Sequence, residues 1–362
     1  MKITSVETTH YRIPLPRALS DSTHSRIASF DLVTVVVHTD QGVSGLGYSK
    51  SIENGTAIRS VIDDVLAPVL AGCDPFATDT IWHEMYWRAH SLGRSGITTL
   101  ARAACDVALW DLKGLLTNTS LCRLLGGRPV PLMAYAGGVN LYFPQDELVR
   151  EMESYLAAGF KAVKMKVGRP DWRQDLDRVE TVRRAIGDRI PLLTDANLQW
   201  SVSDAIQAGK VLADYDVYWL EEPTHPEDVA GHREIAESIA TPIALGESLY
   251  SKWEFQRYLE ERAVDYPEPD VIRIGGITEW MKVAALAQTH NRPVTSHGYD
   301  ELHVHMLAAT PRPSFVEYHL FRLDDYLIEP LRLVNGCLQA PDKPGHGVNF
   351  NWEKLAACLI GR

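Results

Sequence analysis

The chain has 362 residues, of which 45% are hydrophobic and 23% are charged. These fractions are close to those of average globular proteins and exclude a disordered or fibrous protein, and the length allows one large domain with a smaller partner. The 47 acidic residues outnumber the 36 basic ones and leave a net charge of −11, so we expect no nucleic-acid partner.

Three further features indicate a cytoplasmic protein. The five cysteines are widely spaced and include no CxxC pair, a pattern typical of reduced thiols rather than of a disulfide framework. The opening residues, MKITSVETTHYRIPLP, alternate like a strand and lack the apolar core of a signal peptide. No stretch approaches 18 uninterrupted apolar residues, so we expect no membrane partner.

The first part of the chain, residues 1–128, is predicted to be an α+β domain. The β-branched run at 32–38 and the glycines that follow it predict a hairpin. Apolar residues recur at three- and four-residue steps over 98–116 and predict a helix there. Gly126 and Gly127 then break the chain, and we place the domain boundary after residue 128.

Residues 129–327 alternate short apolar runs with helical segments, which is typical of a parallel βα architecture. Eight such runs over about 200 residues predict a closed barrel with helices outside it. A doubly wound open sheet is the alternative, although no GxGxxG motif follows any candidate strand. Residues 328–362 are predicted to return to the N-terminal domain. The candidate strands are residues 132–136, 161–166, 191–195, 217–221, 243–247, 270–274, 293–296 and 315–318.

Three carboxylates occupy equivalent positions at the ends of consecutive candidate strands. Asp195, Glu221 and Glu247 are spaced by 26 residues, which is one βα unit. They must therefore converge at the barrel mouth, where three negative charges repel one another unless a cation lies among them. Oxygen-only ligands favour Mg²⁺, with Mn²⁺ as a substitute, over zinc. Alternatively, each acid caps the helix that follows it, which explains one acid more readily than three.

Basic and acidic residues continue this pattern around the predicted barrel. Lys164 and Lys166 are two residues apart in one strand, so both side chains point to the same face. Asp270 and His297 end neighbouring candidate strands, where a carboxylate can orient an imidazole and raise its basicity. A lone histidine or aspartate would more often be structural, but the pair opposite two lysines favours a functional site.

Together these residues resemble the enolase superfamily, and within it the mandelate racemase subgroup. The resemblance extends over nearly the whole chain and implies a modified (β/α)7β barrel of the TIM type. An α+β capping domain is implied from the N-terminal region and the C-terminal tail, as is a homo-oligomer of two to eight chains. The motifs that carry the resemblance are KMK at 164–166, Asp195, EEP at 221–223, Glu247, Asp270, GGIT at 275–278, SHG at 296–298, DVALWDLKG at 106–114 and PGHGV at 344–348.

The resemblance also implies roles for individual residues. Asp195, Glu221 and Glu247 would bind Mg²⁺, which in turn holds a substrate carboxylate. Lys166 would remove the neighbouring proton on one face, and the His297–Asp270 pair would stand on the other. Lys164 and Glu317 would hold the enolate oxygens. We further expect Lys164 and the metal to lower the pKa of Lys166.

These residues are compatible with three reactions that share an enediolate intermediate. Loss of a 3-hydroxyl makes a dehydratase, opening of a ring C–O bond makes a cycloisomerase, and reprotonation on the opposite face makes a racemase or epimerase. The sequence favours the dehydratase. The next choice is a cycloisomerase of a sugar lactone or an anhydro-sugar acid, such as 3,6-anhydrogalactonate. A non-catalytic ligand-binding barrel is a remote alternative from a different class.

The polar loop at residues 17–26 predicts a small acid-sugar substrate, because a polyhydroxylated tail requires donors and acceptors where an aryl group requires apolar contacts. An ordinary solvated loop is the alternative reading. The candidate substrate-binding residues are Ser20, His24, Arg26, Tyr48, Lys50, Tyr142 and Asn197.

Overall fold

The computed structural model describes residues 1–23, 26–319 and 321–361. The N-terminal part is an antiparallel sheet with helices on one side. The long strands alternate side chains between two faces, and the β-branched run of the second strand is buried almost completely. The elements are β1 (Ile3–Leu19), β2 (Ile27–Thr39), β3 (Ser44–Ser51), α1 (Gly55–Ser60), α2 (Ala67–Leu70), α3 (Thr78–Ala89), α4 (Ile97–Leu116) and α5 (Leu121–Leu124).

Helix α4 packs closely on β3, and two glycines make this approach possible. A Cβ atom at Gly45 would lie 2.3 Å from the Ala108 carbonyl oxygen, and one at Gly47 would lie 2.0 Å from that of Ala104. Any larger residue would therefore separate the helix from the sheet. The predicted hairpin and the predicted helix are both present.

The second part alternates parallel strands with helices, as the sequence predicts. The strands are β4 (Leu132–Gly137), β5 (Ala162–Lys166), β6 (Leu192–Asp195), β7 (Val217–Glu221), β8 (Ile243–Leu245), β9 (Tyr266–Pro267) and β10 (Val316–Tyr318). The helices are α6 (Gln145–Ala157), α7 (Arg173–Ile186), α8 (Val202–Leu212), α9 (Val229–Ser238), α10 (Lys252–Glu260), α11 (Ile277–Thr289) and α12 (Asp300–Ala308).

These strands form a curled sheet in the order β10-β4-β5-β6-β7-β8-β9. Residues 294–295 complete the ring, because the Thr295 amide donates to the Pro267 carbonyl and the Ser314 amide donates to the Val294 carbonyl. Aromatic side chains of Tyr135, Trp219 and Phe315 fill the lower interior in edge-to-face contacts. The structure thus confirms an α/β barrel of the TIM type with an N-terminal cap.

One predicted strand is wrong. Residues 271–275 form a turn, and the sixth strand is instead the two-residue β9 just before them. Pro267 and Pro269 lack the amide donors that a longer strand needs. The Asp270 carboxylate then accepts bonds from the Ile272 and Arg273 amides, which is the local bonding by which aspartate stabilises turns. The predicted strand at 293–296 is reduced to an isolated bridge at Val294.

The last elements contact both parts of the molecule. They are β11 (Cys337–Leu338), α13 (Trp352–Ala356) and β12 (Leu359–Gly361). Strand β11 pairs with β4 of the barrel, and β12 pairs with β1 of the cap. The exact boundaries at 128 and 327 remain a prediction. No helix in the described ranges is both long and apolar enough to cross a bilayer.

Candidate active site

Three buried carboxylates meet at the barrel mouth. Asp195 ends β6, Glu221 ends β7 and Glu247 follows β8, and one oxygen from each lies within 4.8 Å of the others. Burial and the neighbouring Asp195 charge raise the pKa of Glu221 to about 8. Asp195, Glu221 and Glu247 thus form an oxygen donor set suited to a divalent cation.

Lys164 lies among the carboxylates below this mouth. Its Nζ atom is 2.9 Å from a Glu221 oxygen and 2.8 Å from a Glu317 oxygen. Burial alone would lower the pKa of Lys164, but these carboxylates raise it well above its ordinary value. Lys164 is therefore a permanent cation that links β5 to β7 and β10.

Lys166 points to the same face as Lys164 and forms an ion pair with Asp195. The lowering of the Lys166 pKa by Lys164 and a bound metal stays a prediction for the metal-bound site. Without a metal, burial and the Lys164 charge lower the pKa of Lys166, but the Asp195, Glu247 and Glu221 carboxylates together raise it above its ordinary value.

His297 is held by carboxylates on both ring nitrogens. Its Nδ1 atom lies 2.8 Å from an Asp270 oxygen, and its Nε2 atom lies 2.7 Å from a Glu247 oxygen. Burial would lower the pKa of His297, but Glu247 and Asp270 raise it well above the ordinary value. The predicted contact between His297 and Asp270 is thus present in the structure.

Glu317 lies on β10, the strand that pairs with β4, below His297. One of its oxygens accepts a hydrogen bond of 2.7 Å from the Gly298 amide, and the other faces Lys164. Burial would raise the pKa of Glu317, but the Lys164 and His297 charges lower it below its usual range.

A cavity of about 320 Å³ opens above these groups, between the barrel and the cap. Lys166, Glu247, Asp270 and His297 line it from the barrel side, and Lys50 lines it from β3 of the cap. The other predicted catalytic and metal-binding residues are not part of this lining and lie deeper in the barrel. They are Lys164, Asp195, Glu221 and Glu317.

The polar loop at residues 17–26 contributes two of its hydrogen-bonding residues to this cavity. Asp21 and Thr23 line it, and an Asp21 oxygen accepts hydrogen bonds from the Thr23 amide and hydroxyl. Ser20 and Arg26 do not line it, and His24 lies outside the described residues. Asn197 lines the cavity as expected, and its amide donates to Asp195.

Two predicted substrate contacts, Tyr48 and Tyr142, are placed away from the cavity. Tyr48 is fully buried, and its hydroxyl donates a 2.8 Å bond to Glu301, so it links the cap to the barrel. Tyr142 is 55% exposed and does not line the cavity. Both predictions are therefore wrong. Tyr48 serves instead as a buried hydrogen-bond donor, and Tyr142 lies largely in solvent.

Arg273, His319 and Arg322 are among the lining residues that the sequence analysis did not predict. Burial lowers the pKa of His319 to about 3, so its ring is neutral. Its Nδ1 atom accepts a bond from the Phe321 amide, which leaves the proton on Nε2. The signal for His319 was its position two residues after Glu317, since alternate residues of a strand share one face.

Comparison with known families agrees with this geometry. Residues 3–126 match the N-terminal domain of the mandelate racemase/muconate lactonizing enzyme family, and residues 147–354 match the enolase C-terminal domain-like family. The chain belongs to the mandelate racemase subgroup of the enolase superfamily. Both matches together cover most of the chain, including every residue of the carboxylate cluster.

Similar proteins of this subgroup act on acid sugars. The chain is 43% identical, over 99% of its length and 100% of the relative, to a 3,6-anhydro-alpha-L-galactonate cycloisomerase of Streptomyces coelicolor. It is 32% identical, over 97% of its length and 90% of the relative, to an L-talarate/galactarate dehydratase of Salmonella typhimurium. A crystal structure of a Streptomyces coelicolor racemase with bound magnesium matches with a TM-score of 0.96 and 43% identity, over 99% of this chain and 100% of that one.

Proposed function

We propose that this protein is an Mg²⁺-dependent enzyme that removes the proton beside the carboxylate of an acid sugar and then cleaves the C3–O bond. The reaction we propose is the cycloisomerisation of a 3,6-anhydrogalactonate. The observation that carries the proposal is the cluster of Asp195, Glu221 and Glu247, whose oxygens lie within 4.8 Å of one another beside Lys166 and His297.

Asp195, Glu221 and Glu247 would hold the Mg²⁺ ion. A bound ion supplies positive charge to the substrate carboxylate and to the enediolate that forms from it. Lys164 adds a second, permanent positive charge from below, and its contact with Glu317 keeps it directed toward the barrel mouth. Carbon acids beside a carboxylate are very weak, so the reaction needs this concentration of positive charge.

Each proposed base is an ion-pair partner of a proposed metal ligand, Lys166 with Asp195 and His297 with Glu247. When these carboxylates share their charge with Mg²⁺, they hold the protons on Lys166 and His297 less tightly. Metal binding and base activation are therefore coupled through direct contacts. Asp270 orients His297 through Nδ1, and a Glu247 carboxylate that binds Mg²⁺ would release Nε2 toward the substrate.

The chemical step can be balanced with these groups alone. One base removes the C2 proton, and the electron pair of the C2–H bond delocalises onto the carboxylate to form the enediolate. The pair then forms the C2–C3 double bond while the C3–O bond breaks, and the second base protonates the departing oxygen. The resulting enol becomes a 2-keto-3-deoxy acid. If the oxygen belongs to a ring ether it stays attached, and if it is a hydroxyl it leaves as water.

The ring-opening reaction is supported by the 43% identical cycloisomerase, which aligns with this chain from end to end. Dehydration is the second candidate, because the 32% identical relative is a dehydratase and the polar Asp21 and Thr23 suit an open-chain polyol. The two reactions use the same bases and differ in the oxygen that departs.

The deciding experiment is to incubate the enzyme and Mg²⁺ in D₂O with 3,6-anhydro-L-galactonate and, separately, with galactarate. Mass spectrometry and proton NMR then identify the product. We expect a 2-keto-3-deoxy acid with the formula of the anhydro substrate. A product that has lost one water from galactarate, with the anhydro acid unchanged, would replace ring opening by dehydration. Deuterium at C2 with every C–O bond intact would instead indicate racemisation.

A further inference from the structure

A second cavity, of about 640 Å³, lies outside the active site, where helices of the cap meet helices of the barrel. Trp82 and Tyr86 of α3 form one wall, and Lys252 and Trp253 at the start of α10 form the other. Arg102 of α4 forms the base, beside Glu279 of α11. We call this cavity the Arg102 pocket.

Arg102 is a buried cation that has no anionic partner in the described part of the chain. Its Nε atom is fully buried and lacks a hydrogen-bond partner there. Its guanidinium instead lies over the Trp82 ring at 4.5 Å and near the Tyr86 ring at 5.3 Å. Leaving a buried N–H donor without an acceptor costs free energy. The side chain is therefore prepared for an acceptor that the chain itself does not supply.

The nearby carboxylates are already neutralised by other groups. Glu279 binds Lys252 at 2.9 Å, and Lys282 lies 3.6 Å from its other oxygen. The fully buried Asp106 directs both of its oxygens to the amide and hydroxyl of Thr278. Burial lowers the pKa of Arg102 to about 10, so it remains charged at neutral pH. The charged side chains that line the pocket are Arg94, Arg102, Lys252, Glu254 and Glu279. Three positive and two negative charges leave one net positive charge in the pocket.

The planar geometry of the Arg102 guanidinium favours a carboxylate over a phosphate dianion. One planar guanidinium fits one carboxylate through two parallel hydrogen bonds. Glu279 stands beside it and would repel a second negative charge. Trp253, which is 65% exposed at the entrance, offers a flat surface for the carbon skeleton of a ligand.

We propose that the Arg102 pocket is a second ligand site, and that it binds a compact monocarboxylic acid with its carboxylate on Arg102 and its carbon chain against Trp253. The site does not depend on the proposed reaction. It adjoins the active site through one contact, because the Trp82 indole donates a 2.7 Å bond to the carbonyl of Gly275 in the turn that follows Asp270.

The test uses D-galactonate as the probe and isothermal titration calorimetry with the Mg²⁺-loaded enzyme. A double variant, Asp195→Asn with Glu221→Gln, disables the active site and should keep one binding event. Trp253→Ala and Arg102→Met should each weaken that event roughly tenfold or more, since a charge-assisted bond or a stacked ring is lost. Trp352→Ala removes a comparably exposed tryptophan on α13 and should leave it unchanged.

Several outcomes would overturn the proposal. Binding that disappears in the Asp195→Asn, Glu221→Gln variant belongs to the active site alone, whatever its product proves to be. Tighter binding of inorganic phosphate than of D-galactonate would exclude the assigned ligand class. If Trp253→Ala converts an oligomer to monomers in sedimentation experiments, a second copy of the chain covers the pocket and the small-molecule site is refuted. Trp253→Ala keeps the test valid even if Arg102→Met fails to fold.

Discussion

At the scale of single residues, the two proposed bases reach the cavity from different parts of the barrel and pair with different carboxylates. Lys166 ends strand β5, and His297 lies in the irregular segment after Val294. Lys166 is paired with Asp195, while His297 is held between Asp270 and Glu247. No direct contact joins the two bases among the ion pairs and hydrogen bonds of the described residues. Removing one base should therefore leave the other in place.

We predict that Lys166→Ala and His297→Asn each lower kcat by about 100-fold or more, which is the usual contribution of a general acid or base. One of the two variants should still exchange the C2 proton with D₂O, because the surviving base faces the opposite side of the substrate. Proton NMR of recovered substrate measures this exchange. Lys210→Ala, at an exposed lysine of α8, is the control, and full turnover in either base variant would contradict the assignment.

A buried histidine far from the cavity predicts how stability depends on pH. His305 accepts a bond from the Cys122 amide through Nδ1 and donates through Nε2 to the His346 carbonyl. Burial lowers its pKa to about 3. The unfolded chain binds this proton near pH 6.5 and the folded chain does not, so stability falls as the pH drops below that value.

We predict that His305→Gln makes this loss shallower, because glutamine offers the same acceptor and donor without titrating. The slope should differ by up to about 1.4 kcal/mol per pH unit. Urea unfolding of both proteins between pH 7 and pH 5 measures it, with the exposed His90→Gln as control. Parallel curves for wild type and His305→Gln would show that His305 is not the titrating group.

At the scale of elements, much of the site was predictable because the carboxyl ends of parallel strands meet at one end of a barrel. This rule brings Asp195, Glu221 and Glu247 together without knowledge of a single contact. Residues on loops are not governed by such a repeat. Arg322 approaches the cavity because it pairs with Asp300 and Asp324. No local sequence pattern predicts the pairing with Asp300, which is distant in the chain.

The cap was predicted less completely for a related reason. Alternation in β3 places Tyr48 and Lys50 on the same face, but it does not reveal where the surface of the barrel ends. Tyr48 is buried where the cap contacts Glu301 of the barrel, while Lys50 lines the cavity.

The length of β9 was also not predictable from apolar residues alone. The prolines on either side of Glu268 shorten this strand, although the neighbouring apolar residues are typical of a longer one.

The loop at residues 17–26 yields a prediction about specificity. Asp21→Ala and Thr23→Ala should each raise KM by roughly fivefold, the equivalent of one lost hydrogen bond of about 1 kcal/mol. Affinity for Mg²⁺ should stay the same, because both residues belong to the cap. Ser20→Ala and Arg26→Ala are matched controls in the same loop that do not line the cavity. Equal KM values in all four variants would refute the role of the loop.

At the scale of the whole molecule, the active site lies where cap and barrel meet, and polar contacts hold this boundary. Trp110 and Asp106 of α4 both bind Thr278 at the start of α11, and Tyr48 binds Glu301 of α12. The carboxylate cluster lowers the stability of the fold, because like charges are held close together. A cation that binds the cluster should stabilise the entire chain.

We predict that Mg²⁺ raises the melting temperature of the wild type. At 100 times its dissociation constant the ion adds about 2.7 kcal/mol to the free energy of unfolding. Differential scanning fluorimetry across a Mg²⁺ titration measures the shift. The Asp195→Asn, Glu221→Gln variant should show no comparable rise, and an equal rise in both proteins would place the ion elsewhere.

The pairing of β12 with β1 has a consequence for the order of folding. Bringing residues 359–361 beside residues 10–11 closes a loop of about 350 residues, which in an unfolded chain costs about 5 kcal/mol of entropy. Leu359 and Ile360 bury too little surface to offset that loss. The barrel must therefore assemble first and bring the two segments together. In native-state hydrogen exchange, the Arg12 amide, which donates to Cys358, should open before the amides that join β1 to β2.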